Sequence, residues 1–152
     1  MSDPLTFTST SARFSLPLLF AAQAQKEVFV NEALSLIDGL MHLLVEGQAD
    51  APPVVSAEGE AWIIGPSATG EWAGHSGEIA LRQSGNWLFA APVPGMTALD
   101  RSAGQTTRFD GEWQRAAAIT TPSGGTTVDT QARTAIGEIV AALTVAGILP
   151  AS

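Results

Sequence analysis

Residues 79–90 read IALRQSGNWLFA. Two β-prone runs flank Ser84-Gly85, a dipeptide suited to the two-residue turn whose central residues need positive φ. Pairing outward from that turn sets Trp87 directly across from Arg82. Side chains alternate along a strand, so Ile79, Leu81, Leu88 and Ala90 share one face while Ala80, Arg82, Trp87 and Phe89 share the other. The aliphatic face is the expected core, and Trp87 is expected to point away from it.

The Gly-x-Trp triplet recurs. It closes TGEW at Trp72, SGNW at Trp87 and DGEW at Trp113, and so holds three of the four tryptophans in a chain with no tyrosine. Two-residue turns at Thr69-Gly70 and Asp110-Gly111 would place Trp72 across from Ser67 and Trp113 across from Arg108. A three-residue loop with a glycine bulge would shift the last pairing by one, to Thr107. In the two-residue register Trp113 shares a polar face with Thr106, Arg108 and Arg115. Arginine over an indole stabilises an exposed hairpin by roughly 0.5–1 kcal/mol, which is one reading of the pairs. The other is an aromatic platform flanked by hydrogen-bond donors, suited to stacking a sugar ring, with Trp72, Trp87, Trp113, Arg82 and Arg108 as the carbohydrate-binding candidates. Tryptophans hidden between subunits would give the same pattern.

Working outward, the chain reads as an α+β fold. Residues 1–20 are rich in Ser, Thr and Pro with spaced apolar positions, an extended arm that packs on its own subunit or docks on a neighbour. A long helix occupies the 21–50 segment, from about Ala21 to Glu46. It carries two stripes at alternating spacings of four and three: Phe29, Ala33, Leu36, Leu40, Leu43 and Val30, Leu34, Ile37, Met41, Leu44. Asn31, Ser35, Asp38 and His42 form a narrow polar seam between them. Residues 54–118 form an antiparallel β domain built from hairpins, with strands in EAWIIG, GEIALRQ, NWLFAAP, TTRF and EWQRAA. A Thr/Pro/Gly linker covers 119–128, and a C-terminal helix lies within 129–152, with Asp129 as N-cap, Gly147 ending it and Pro150 beyond. Two apolar helices exceed what one small β domain covers, so a homo-oligomer is expected, a trimer first, with a dimer or pentamer as alternatives.

Composition agrees with buried surface between copies. Charged residues make up 14% and hydrophobic residues 45% of the 152, against about 25% charged in an average soluble chain. Seven basic against 15 acidic residues give a net charge of -8, which repels a phosphate backbone, so nucleic acid is not an expected partner. The chain contains no cysteine, which excludes disulfides and thiolate metal sites. RFSLPLLFAAQAQ imitates a signal peptide, but its n-region lacks net positive charge, and no cleaved signal is expected. No run approaches the ~20 apolar residues of a membrane span.

Catalytic patterns do not assemble. GPSATGE begins like a phosphate loop but has Glu71 where the lysine belongs. AGHSG sets His75 beside Ser76, yet neighbours on a strand point apart, and the motif is not Gly-x-Ser-x-Gly. His42 and His75 are too few for a histidine metal cluster. Glu71 and Glu112 occupy turn tips, and only a short separation would make them a glycosidase pair. The expectation is a binding or structural protein without cofactor or metal.

The helix start LPLLFAAQAQKEVFVNEAL, then APP, WIIGPSATGEWAGHSGEIA, GNWLFAAPVPG and FDGEW resemble the DUF2793 family of alphaproteobacterial prophages and gene transfer agents, over residues 15–115. The tail TTVDTQARTAIGEIVAALTVAGIL is similar to the helix that often follows this domain. Met96 stands where the family pattern carries a tryptophan, and Glu27 replaces a histidine-like position. The resemblance implies a fibre or spike on a phage-like particle, made in the cytoplasm and displayed on the particle surface, that attaches to host polysaccharide. It implies a base, tail or capsid protein as docking partner for the N-terminal arm. A purely structural fibre or adaptor is the alternative.

Overall fold

A computed structural model describes residues 9–20 and 26–150. They belong to two compact units that divide between Pro92 and Val93. The first eight residues of the expected arm and the expected first turn of the long helix, residues 21–25, lie outside the described residues.

In the first unit, helix α1 spans Lys26–Leu40. The expectation of a helix reaching Glu46 is corrected here: His42 takes a φ of 50°, and the apolar run beyond it becomes the short strands β1 (Leu44–Val45) and β2 (Gln48–Ala49). The last turn of α1 contains no basic residue of its own. Arg13 of the arm supplies the charge. Its guanidinium donates to the carbonyls of Asp38 (3.1 Å), Gly39 (2.8 Å), Met41 (3.1 Å) and His42 (2.9 Å), groups that a helix C-terminus leaves without partners. The Asp38 carboxylate accepts from the backbone N–H of Arg13 (2.8 Å) and Phe14 (2.7 Å). Asn31 exchanges two bonds with the Leu19 backbone. Residues 9–20 are thus fastened to their own helix.

That fastening turns α1 inside out. Ser35, Asp38 and Gly39 are its buried residues, so part of the polar seam faces inward. Much of the apolar stripes stays open, with Phe29 77% exposed, Ile37 53% and Val30 41%, while Leu34, Leu36 and Leu40 are partly covered. At Gly39 the helix passes so close to the sheet that an added Cβ would meet the Leu81 side chain at 2.7 Å.

The sheet of this unit orders as β2-β3-β4-β5, with β3 at Ala61–Ile64, β4 at Ile79–Gln83 and β5 at Asn86–Ala90. β2 runs parallel to β3, and the other pairs are antiparallel. Ser84 (φ 51°) and Gly85 (φ 76°) form the expected two-residue turn, and Glu58 accepts from both of their N–H groups. Arg82 lies opposite Trp87 as the alternation predicts. Ala61, Ile63, Ile79 and Leu81 are all buried. The opposite face is covered as well, which the alternation alone did not anticipate.

The second unit contains β6 (Thr97–Asp100), β7 (Gln105–Phe109) and β8 (Trp113–Arg115), paired antiparallel in sequence order. Its buried face is partly polar. Asp100 and Thr107 are fully buried and Gln105 nearly so, and each is satisfied. Asp100 pairs with Arg115 and accepts from the Ser102 hydroxyl and the Ala103 N–H. Thr107 donates to the Gln114 carbonyl, and Gln105 donates to the carbonyls of Ala116 and Ile148. Helix α2 (Thr130–Val145) starts on an Asp129 side chain that accepts from the Ala132 N–H. It stops at Gly147, whose φ is 69°. Both termini agree with the sequence reading. None of its residues is buried.

Candidate functional site

The segment between β3 and β4 builds the site. The loop starts at Gly65, which donates to the Ala49 carbonyl, and Asp50 pins it further through the N–H groups of Ser67 and Thr69. Positive φ at Gly70 (63°), Gly74 (91°) and Gly77 (83°) folds the chain back over the sheet. Gly70–Trp72 is one 3-10 turn rather than a hairpin. The expectation that Trp72 lies across from Ser67 on an exposed platform is therefore corrected. Trp72 is fully buried and forms a core with Ile64 and Ala80.

Around that core pack Trp62, Trp87 and Phe89. The Trp72 ring lies 5.1 Å from Trp87, edge to face, and 6.4 Å from Trp62, separations typical of stabilising aromatic pairs. The face expected to point away from the core thus carries a second core. Trp87 is half-buried, with the Arg82 guanidinium carbon 5.1 Å from its ring centroid. His75 stacks on Phe89 at 3.7 Å and 8°. Its Nδ1 lies 2.9 Å from a Glu78 carboxylate oxygen. A carboxylate only accepts, so the hydrogen of this bond sits on Nδ1. Trp62, Phe89, His75 and Glu78 were not among the sequence candidates. The register that set Trp87 across from Arg82 also sets Ala80 between Trp62 and Phe89, and that was the available signal.

Buried donors accumulate in this cluster. Nε1 of Trp62, Nε1 of Trp72 and Nε of Arg82 are buried without a hydrogen-bond partner. Native proteins leave few such groups, because each unmet donor costs about 1–3 kcal/mol.

Trp113 and Arg108 belong to the second unit and are not paired with each other. The loop after β7 holds three residues, so Trp113 faces Phe109 and Arg108 faces Gln114. The shift runs opposite to the alternative that put Thr107 across from Trp113. One residue of register moves a side chain to the other face. Trp113 now shares its face with Thr107 and Arg115 rather than with Thr106 and Arg108. Its ring packs edge to face on Phe109 at 5.3 Å, and Arg108 instead pairs with Asp110 at 3.4 Å between exposed side chains. Glu71 and Glu112 are both exposed. Among the described residues, no group of three or more His, Cys, Asp or Glu is placed to hold a metal ion.

The family model described as a protein of unknown function, DUF2793, matches residues 30–114, more than half of the 152 residues. The chain belongs to the DUF2793 family. Among curated proteins, none matches it. The DUF2793 match contains the aromatic cluster and both glycine-turn hairpins, while residues 9–20 and α2 lie outside it.

Proposed function

We propose that this DUF2793 protein is a non-enzymatic fibre or spike component of a phage-like particle, a prophage or gene transfer agent, and that it attaches the particle to polysaccharide on the host cell surface. The particle context is what the family resemblance implies. The observation that carries the reading is the outward apolar face of α1, with Phe29 and Ile37 more than half exposed and Val30 exposed beside them. A small domain does not keep such a helix in water, and a symmetric bundle of copies covers it. α2 adds Ile139 and Val145, also exposed. A homo-oligomer, preferably a trimer, follows. Docking on a base, tail or capsid protein through the N-terminal arm is part of the same reading. No described helix is long and apolar enough to cross a membrane.

Sugar attachment is assigned to the rim of the aromatic cluster, where half-buried Trp87 and Phe89 meet Arg82 and His75. In the second unit Trp113 and Arg108 lie on opposite faces of their hairpin, so the attachment reading rests on the first unit. A second reading, a structural fibre or adaptor without sugar binding, is favoured by the complete burial of Trp72. Adsorption separates the two. Purified protein is expected to bind encapsulated host cells and to lose that binding once the capsule is removed enzymatically. Equal retention by bare cells, or none by either, supports the structural reading instead.

A further inference from the structure

Arg82 stands apart from the other arginines. Arg13 caps a helix, Arg108 and Arg115 pair with aspartates, Arg133 donates to the Gly124 carbonyl and Arg101 is also engaged. The Arg82 guanidinium has its ring contact with Trp87, and its buried Nε has no hydrogen-bond partner among the described residues, although acidic residues outnumber basic ones 15 to 7. Glu60 lies across the strand pair, its carbonyl accepting from the Arg82 backbone N–H (2.8 Å), and among the described residues it forms no ion pair with the guanidinium; the other nearby acids are engaged elsewhere. Glu78 accepts at His75, Glu58 holds the Ser84-Gly85 turn, and Asp50 holds the loop. A guanidinium that is partly buried, set over an indole and short of an acceptor at Nε is matched by a planar, bidentate carboxylate. The unmet indole N–H groups of Trp62 and Trp72 in the same cluster are also donors.

We propose that the Arg82 guanidinium anchors a carboxylate-bearing sugar, a uronate unit of a surface polysaccharide, against the rim formed by Trp87 and Phe89. The inference rests on the carbohydrate reading above and names its ligand class. The net charge of -8 does not forbid it. At physiological salt, fields fade over about 8 Å, so the local guanidinium decides the contact. A polysaccharide with at most one carboxylate per sugar also has sparser charge than duplex DNA, with one charge per ~1.7 Å.

The test titrates the purified full chain with an oligogalacturonate and with the same oligosaccharide after its carboxylates are reduced to alcohols, following tryptophan fluorescence and heat. The acidic form is expected to bind about tenfold or more tightly than the reduced form, and to weaken as salt rises. Arg82→Gln is expected to erase that preference, and Arg82→Lys to retain part of it, with melting curves recorded for both. The comparison of two ligands on the unmodified chain needs no variant to fold. Equal binding of the two forms, or a preference that survives Arg82→Gln in a folded protein, overturns the inference while the carbohydrate reading stands. If neither form binds but capsule-dependent adsorption persists, the uronate assignment is wrong and attachment is not. If both binding and adsorption are lacking, both readings fall together.

Discussion

Replacing Trp72 with alanine is expected to cost about 3–5 kcal/mol and to unfold the first unit at temperatures where the parent chain is folded. The indole is fully buried between Ile64 and Ala80 and touches Trp62 and Trp87. Alanine would leave a cavity that the sheet beneath, fixed by its hydrogen bonds, fills only in part. A domain whose whole stability is about 5–15 kcal/mol has little reserve for such a loss. Trp87→Ala removes a half-buried ring at the rim and is expected to lower stability less. Thermal unfolding of both variants, followed by circular dichroism, measures the difference. A Trp72→Ala protein that melts with the parent would show that the loop does not pack over the sheet as described.

Arg115→Ala is expected to have an effect of similar size in the second unit. Asp100 is fully buried, and its carboxylate is paired with Arg115, which is itself about two-thirds shielded from water. Removing one partner of a buried ion pair costs about 3–5 kcal/mol, because the remaining charge stays desolvated. Adding Asp100→Asn in the same chain should restore part of that loss. The amide oxygen still accepts from Ser102 and Ala103 but carries no charge. Urea unfolding of the single and double variants checks this. Equal stability of parent and Arg115→Ala, or a double variant weaker than the single, would remove the pair from its structural role.

What the sequence made legible was local and periodic. The Ser84-Gly85 turn, the alternation through Ile79 and Leu81, and the capping of α2 by Asp129 and Gly147 each depend on a few adjacent residues, and each appears in the structure. The Arg82–Trp87 pair followed from that turn, and it is the part of the candidate site that could be read in advance. The cover over its face could not. It comes from a glycine-rich loop with no periodicity, which inserts Trp72 from a 3-10 turn. In the last hairpin a single extra loop residue sent Trp113 to the opposite face, and turn length there cannot be read from Asp110-Gly111 alone. The orientation of α1 was hidden for a different reason. A polar seam ordinarily marks the wet side of a helix, but here Asn31 and Asp38 meet the backbone of residues 9–20, and Arg13 closes the helix end. That arrangement depends on partners 12 to 29 positions away, beyond the reach of local pattern.

The outward face of α1 leads to the most direct measurement. Sedimentation equilibrium of the purified chain at micromolar concentration is expected to give a multiple of its 15.7 kDa mass, with three copies as the favoured number. Phe29→Glu together with Ile37→Glu, both on that exposed face, should return the protein to single chains with its circular dichroism spectrum unchanged. A parent protein that sediments as a stable, folded 15.7 kDa monomer would contradict assembly through α1, and with it the fibre or spike.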